Sequence, residues 1–295
     1  MVQFPTTVLE GKKLPRLIFS AQPPVFRGHR EIYPLMKKVY EMGTWCLDLP
    51  SPKHLESFRE LKNLTLDETL TGLCHLEVET GASFLGKPLH QFETKVVSTI
   101  KKNLSLPQSI RNLPPIPIGS EVFTQKEIDR IGFDPQRFEK ALSFFHPGES
   151  PFVLVGGRYG DWLLALGRID LLKQMMAKVR EKGFTPVYSG QWATFCLPKA
   201  KSLDVVAYAI PINRKWSFFN LDQACVLIKK FDRPVISLNP LADGTLLKNS
   251  EEAFSFLFKD LKITLAIAEI HSEQEVEILL SAVAKIPSLI PPRKT

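Results

Sequence analysis

The sequence predicts an α/β protein built as one (β/α)₈ TIM barrel with an insertion after its third strand, and three observations carry that expectation. The first is alternation: short apolar or β-branched runs repeatedly precede segments of helical periodicity, with Gly, Pro, Asn or Asp at the seams. The second is length, since eight strand-and-helix units need roughly 250 residues and the chain has 295. The third lies after the first strand, where Ala21-Gln22-Pro23-Pro24 offers no glycine-rich phosphate turn of the kind that opens a doubly wound sheet.

The expected strands run over 17–22, 44–49, 72–78, 152–155, 186–189, 205–212, 235–238 and 265–270. Helices are expected over 31–42, 52–61, 169–182, 221–230, 251–261 and 273–285. Gly43 stops the first helix, and Ser272 with Glu275 three residues on forms a capping box for the last. The stretch 80–148 is Pro-rich and least regular, with helical patches at 92–103 and 124–145. It reads as an enlarged third helix region, a long segment at a strand's carboxyl end of the kind that covers a barrel's site. The whole chain reads as one domain, with 287–295 as a frayed tail.

Composition narrows the function classes. Hydrophobic residues at 44% and charged residues at 23% are ordinary for a globular protein that buries a core. The net charge of +7 comes from basic residues scattered over helix faces such as Lys173, Lys178, Arg180 and Lys182, so no nucleic-acid partner is expected. Cys46, Cys74, Cys196 and Cys225 lie far apart in apolar strings without metal or redox spacing. No leader and no long uncharged apolar run is evident, which leads to the expectation of a cytoplasmic protein with no membrane partner.

Barrel strands are buried on both faces, so polar residues near their carboxyl ends are costly unless used or paired. Reading alternate residues gives Ser20 and Gln22, Asp48, His75 with Glu77 and Glu79, and Ser189 with Gln191, and further round come Arg158, Asp161, Asn213, Asn239, Asp243, Glu269 and His271. Leu73, His75, Glu77 and Glu79 share one strand face, and an imidazole beside carboxylates can share a proton or hold a divalent metal. Asp48, His75, Glu77, Glu269 and His271 are therefore the candidate catalytic residues, His75 and Glu77 the candidate metal ligands. Gln22, Arg158, Gln191, Asn213 and Asn239 are the candidate substrate contacts. Within Gly156-Gly157-Arg158-Tyr159-Gly160-Asp161 the glycines read as a turn; Arg158 either anchors an anionic substrate or pairs with Asp161. His29 and His54, in loops after the first two strands, read as incidental.

Three phrases resemble the aldo-keto reductase superfamily: Leu14-Pro15-Arg16-Leu17-Ile18, Glu41-Met42-Gly43-Thr44-Trp45-Cys46-Leu47-Asp48, and Asn239-Pro240-Leu241-Ala242-Asp243-Gly244. The resemblance spans most of the chain outside 80–148 and implies the barrel, reduction by a nicotinamide cofactor, and a catalytic Asp, Tyr, Lys and His. Only Asp48 falls in place. Residues 50–54 hold no Tyr, the third strand ends in Glu77 and Glu79, and the fourth ends in Gly156, Gly157 and Arg158. Glu273, Glu275 and Glu277 stand where the family's basic residues meet the adenosine phosphate, which argues against NADPH and leaves NADH open. The sequence thus points to a barrel enzyme acting on a small polar or anionic molecule by acid/base or metal-assisted chemistry. Its alternatives are an NAD(P)H oxidoreductase with a rearranged tetrad, using His54 or Tyr159 as the acid, and a silent binding barrel.

Overall fold

The computed structural model describes residues 5–24, 29–77, 81–104, 119–218 and 220–286. The chain opens with a hairpin of β1 (Thr6–Leu9) and β2 (Lys12–Pro15), whose turn places both Glu10 and Gly11 at positive φ. Then come β3 (Leu17–Ala21), α1 (His29–Glu41), β4 (Cys46–Leu49), α2 (Pro52–Thr65) and β5 (Thr71–Glu77). An excursion follows, with β6 (Ala82–Phe84), β7 (Lys87–Pro88), α3 (Glu93–Leu104), α4 (Gln125–Ile128), β8 (Gly132–Phe133) and α5 (Pro135–Leu142). Its three strands make a small antiparallel sheet in the order β7-β6-β8.

The regular beat returns with β9 (Phe152–Gly156), α6 (Gly157–Ala165), α7 (Ile169–Glu181), β10 (Thr185–Ser189), α8 (Ala193–Ala200) and β11 (Tyr208–Pro211). The chain closes with α9 (Leu221–Lys230), β12 (Val235–Leu238), α10 (Ser250–Ser255), β13 (Leu265–Ile270) and α11 (Glu273–Ala284). Eight strands, β3, β4, β5, β9, β10, β11, β12 and β13, pair in parallel and close into a barrel. The sequence-based expectation of a TIM barrel is met.

Two details differ. The residues expected to form a glycine turn after β9 are the first turns of α6, a helix whose apolar run Trp162-Leu163-Leu164 packs into the core. The strand expected from residue 205 starts at Tyr208, after a turn. The expected tail 287–295, residues 105–118 of the insertion and Val78, Glu79 and Thr80 lie outside the described residues.

The inner layer identifies the strands' inward faces. Ile18, Cys46, Leu73, Phe152, Leu154, Val187, Ala209, Ile236, Leu265 and Ile267 form one buried cluster with Leu9 and Leu14 of the hairpin. The hairpin therefore closes the amino-terminal end of the barrel. A second, larger cluster lies between strands and helices. Side chains alternate along a strand, so Ser20, Asp48, His75, Ser189 and Glu269, each two residues beyond a member of the inner cluster, also face the barrel axis.

At the closed end Arg16 is buried, stacks over Phe258 at 4.2 Å and donates to the carbonyls of Ile263 (2.7 Å) and Thr264 (3.3 Å). Burial lowers its pKa to about 10. No helix among the described residues is long and apolar enough to cross a membrane.

Candidate active site

Neighbouring strands β4 and β5 place Asp48 and His75 side by side at the carboxyl end of the barrel. The Nε2–H of His75 donates to Oδ1 of Asp48 at 2.6 Å, the carboxylate being 3% and the imidazole 27% exposed. Because a carboxylate only accepts, the bond fixes which ring nitrogen carries the hydrogen and how the ring lies. Such a pair can move a proton to or from a molecule in the barrel mouth.

His54 stands behind this pair, and here the expectation of an incidental loop histidine is corrected. It lies in the first turn of α2 and is buried. Its Nε2 donates to the carbonyl of Ala21 at 2.7 Å, and its Nδ1 meets the Ser51 hydroxyl at 2.7 Å. Desolvation lowers its pKa; the Ala21 bond and the Asp48 charge work against that, and His75 adds to it. A neutral imidazole that pins α2 to the end of β3 fits all of these contacts.

The other sequence-derived candidates are distributed differently. Glu269 projects from β13 into solvent at the mouth, and its carboxyl is shifted upward, first by partial desolvation and then by the charges of Asp243 and Asp48, with His271 opposing. His271 does not join Asp48 and His75. Its amide (2.8 Å) and Nδ1 (3.3 Å) both meet Oε2 of Glu275, one turn into α11. Glu77 ends β5 opposite Gly156, and its side chain lies outside the described residues, as does that of His29. Gln22 Nε2 donates to the Ser20 hydroxyl at 3.4 Å.

Asn213 and Asn239 are used by their own loops. Asn213 is fully buried, accepts from the amides of Lys215 and Trp216 and donates to the carbonyl of Asn239. Asn239, at a φ of 51°, exchanges two hydrogen bonds with Asp243. Their amides hold the rim in shape.

Arg158 and Asp161 are not paired to each other. Arg158 lies 3.3 Å from Glu93 of α3, stacks over the rings of Tyr159 and Trp162 at 5.1 Å each, and donates to the Tyr159 hydroxyl. Asp161, which the sequence reading offered as a turn residue and a partner for Arg158, is instead a wholly buried helix residue. Tyr188 Oη donates to its Oδ1 (2.8 Å), and the amides of Gln191 (2.6 Å) and Trp192 (3.0 Å) to its Oδ2. Desolvation raises this carboxyl to about 6 against those bonds. The signal that could have placed it on a helix is the apolar run 162–166 closed by Gly167, a helix-stop pattern that makes 157–165 helical.

No family model matches the chain. The curated proteins yield no match either. Solved structures do match. The holo form of an aldo-keto reductase from Bacillus halodurans superposes with a TM-score of 0.60 at 12% identity, covering 99% of this chain and 93% of that one. The apo form of that enzyme gives 0.53 at 11% identity, with the same coverage of 99% and 93%. A thermostable aldo-keto reductase in complex with the inhibitor epalrestat gives 0.55 at 12% identity over 94% of this chain and 93% of that chain. The chain has the barrel fold of the aldo-keto reductases.

The expectation against NADPH is corrected. The argument against NADPH does not survive the likeness to a barrel known in a holo form. One of the acids behind that expectation also has another task, since Glu275 accepts from His271 and its amide donates to the Ser272 hydroxyl that caps the helix. The metal expectation at His75 and Glu77 falls partly outside the described residues, because the Glu77 side chain is not among them. Among the described residues no three His, Cys, Asp or Glu side chains converge, and His75 Nε2 is turned to Asp48.

Proposed function

We propose that the chain is an oxidoreductase that reduces a carbonyl group of a small molecule with a nicotinamide cofactor, the Asp48–His75 pair supplying the proton. The observation that carries the reading is the 2.6 Å pair itself, placed inside the open end of a barrel with this fold. The chemistry at the end of β10, two strands round the barrel from β5, suits a nicotinamide. Ser189, inward on β10 and 8% exposed, and Gln191 just beyond it are uncharged groups that can both donate to and accept from a carboxamide. When bound, the nicotinamide supplies a hydride.

The protein's part is acid chemistry. His75, held by Asp48 through Nε2–H, donates the Nδ1 proton of the protonated ring to the carbonyl oxygen and is left neutral, the buried carboxylate stabilising the imidazolium beforehand. The role given to a Tyr and a Lys in the family resemblance is thereby taken by an imidazole and its carboxylate partner.

A second reading is favoured by Glu269, whose carboxyl, shifted upward first by partial desolvation, stands at the same end of the barrel as Asp48. Carboxyl groups in different surroundings at one barrel mouth suit acid/base rearrangement of a small polar substrate without reduction. Titrating NADPH and NADH by fluorescence separates the readings: saturable quenching or enhancement supports the first, and no response to either at millimolar concentration overturns it.

A further inference from the structure

The turns after β9 and β10 are interlocked. Gly156, at a φ of +143°, leaves no room for a side chain: a Cβ there would lie 2.0 Å from the carbonyl oxygen of Ser189. On the other turn, a Cβ on Gly190 would lie 2.6 Å from Oδ1 of Asp161 and 2.9 Å from the Tyr188 ring. Two glycines thus let the start of α6 and the end of β10 come into backbone contact, and Asp161 is the side chain at the junction.

Its bonds explain what the contact accomplishes. The first backbone amides of a helix have no partners within it, and Trp192, at the cap of α8, has a side chain that cannot accept. Asp161 supplies the acceptor from outside. Oδ2 receives the amides of Gln191 and Trp192, and Oδ1 receives the Tyr188 hydroxyl. The Cys196 thiol one turn into α8 also faces the carboxyl. On its other side the turn is tied to β11 by the bond from Gly190 N to the carbonyl of Ala209 at 2.9 Å.

We infer that Asp161 is a positioning residue: by clamping the amides of Gln191 and Trp192 it fixes Ser189 and Gln191 at the barrel mouth in the place where the nicotinamide would be held. The inference rests on the function proposed above for the binding step, while the clamp stands on geometry alone. Asp161 touches neither cofactor nor substrate and acts through the turn. Removing the carboxyl leaves the buried amide of Trp192 and the part-buried amide of Gln191 without this acceptor, whereas Asn keeps an acceptor of the same shape.

The test compares Asp161→Ala, Asp161→Asn and Tyr188→Phe with the wild type by hydrogen–deuterium exchange over residues 188–193 and by NADPH and NADH titration. The clamp predicts faster exchange in Asp161→Ala at 190–192 with the strand 265–270 unchanged, and restoration in Asp161→Asn. It also predicts dinucleotide affinity weakened on the order of tenfold in Asp161→Ala, the equivalent of one lost buried hydrogen bond, and recovered in Asp161→Asn. Tyr188→Phe, which spares both amides, is expected to leave exchange and affinity near wild type and keeps the test open if Asp161→Ala does not fold. In that case, loss of the 190–192 protection in Asp161→Asn as well overturns the clamp. Unchanged exchange and affinity in a folded Asp161→Ala overturns it too. A wild type that binds neither dinucleotide overturns the function proposed above, and the exchange data still decide the clamp.

Discussion

Oδ1 of Asp48 accepts from Nε2 of His75 at 2.6 Å across adjacent strands, and the carboxylate is almost wholly withdrawn from water. A buried charge beside an imidazole matters chiefly when the imidazole gains or loses a proton. Asp48→Asn keeps the shape and removes the charge. The expected outcome is a kcat lower by roughly 10²–10⁴, the range a positioned acid contributes, with KM little changed because the substrate's resting contacts remain. Steady-state kinetics over a range of pH checks this.

Asp161 makes stability fall as pH rises. Its carboxyl goes from the ordinary 3.8 to about 6 on folding, mainly by desolvation, so between those values the native state binds a proton that the unfolded state has released. The groups facing it, Tyr188 Oη, the Cys196 thiol and the amides of Gln191 and Trp192, carry no opposing formal charge. The destabilisation grows through that window to about 3 kcal/mol and is constant above it. Urea unfolding from pH 4 to pH 7 should show the stability difference between wild type and Asp161→Asn shrinking or reversing as pH rises. A difference independent of pH contradicts the assignment.

Gly156 and Gly11 both have positive φ but differ in surroundings. Gly11, at φ 76° in an open hairpin turn, leaves an added Cβ with nothing within 4 Å among the described residues. Gly11→Ala should cost about 1 kcal/mol, from backbone strain alone. Gly156→Ala adds a collision with the Ser189 carbonyl and should cost well over ~3 kcal/mol, or prevent folding, as read from expression and thermal unfolding.

Arg16 anchors the closed end. Arg16→Ala removes the stack on Phe258 and the donors to Ile263 and Thr264. A loss of about 3 kcal/mol in urea unfolding is expected, with catalytic parameters unchanged because the residue lies at the end of the barrel away from Asp48.

The barrel was legible because its strands obey one rule that a sequence can display: apolar runs of strand length followed by amphipathic helices. The same period-two reading set Asp48 and His75 on inward faces, and pairing of β4 with β5 brought them together. Other features depended on three-dimensional approach. Glycines 157 and 160 suggested a loop, yet the helix tolerates them, and the Gly156–Ser189 contact shows why glycine is needed just before it. Polar residues at strand ends look alike in sequence whether they face a ligand or hold a rim. Asn213 and Asn239 hold the rim, and His271 serves α11. The amino-terminal hairpin was marked by Glu10-Gly11 between alternating residues, a local signal passed over because the barrel pattern starts only at Leu17.

The central claim, that the Asp48–His75 pair supplies the proton in a nicotinamide-dependent reduction, is tested most directly by measuring oxidation of NADPH and NADH by the wild type and His75→Ala over a panel of small aldehydes and ketones. Turnover by the wild type that falls by about 10²–10⁴ in a folded His75→Ala, with dinucleotide binding retained, is the expected result. Equal turnover by the two proteins, or none by the wild type with any substrate and either cofactor, contradicts the claim.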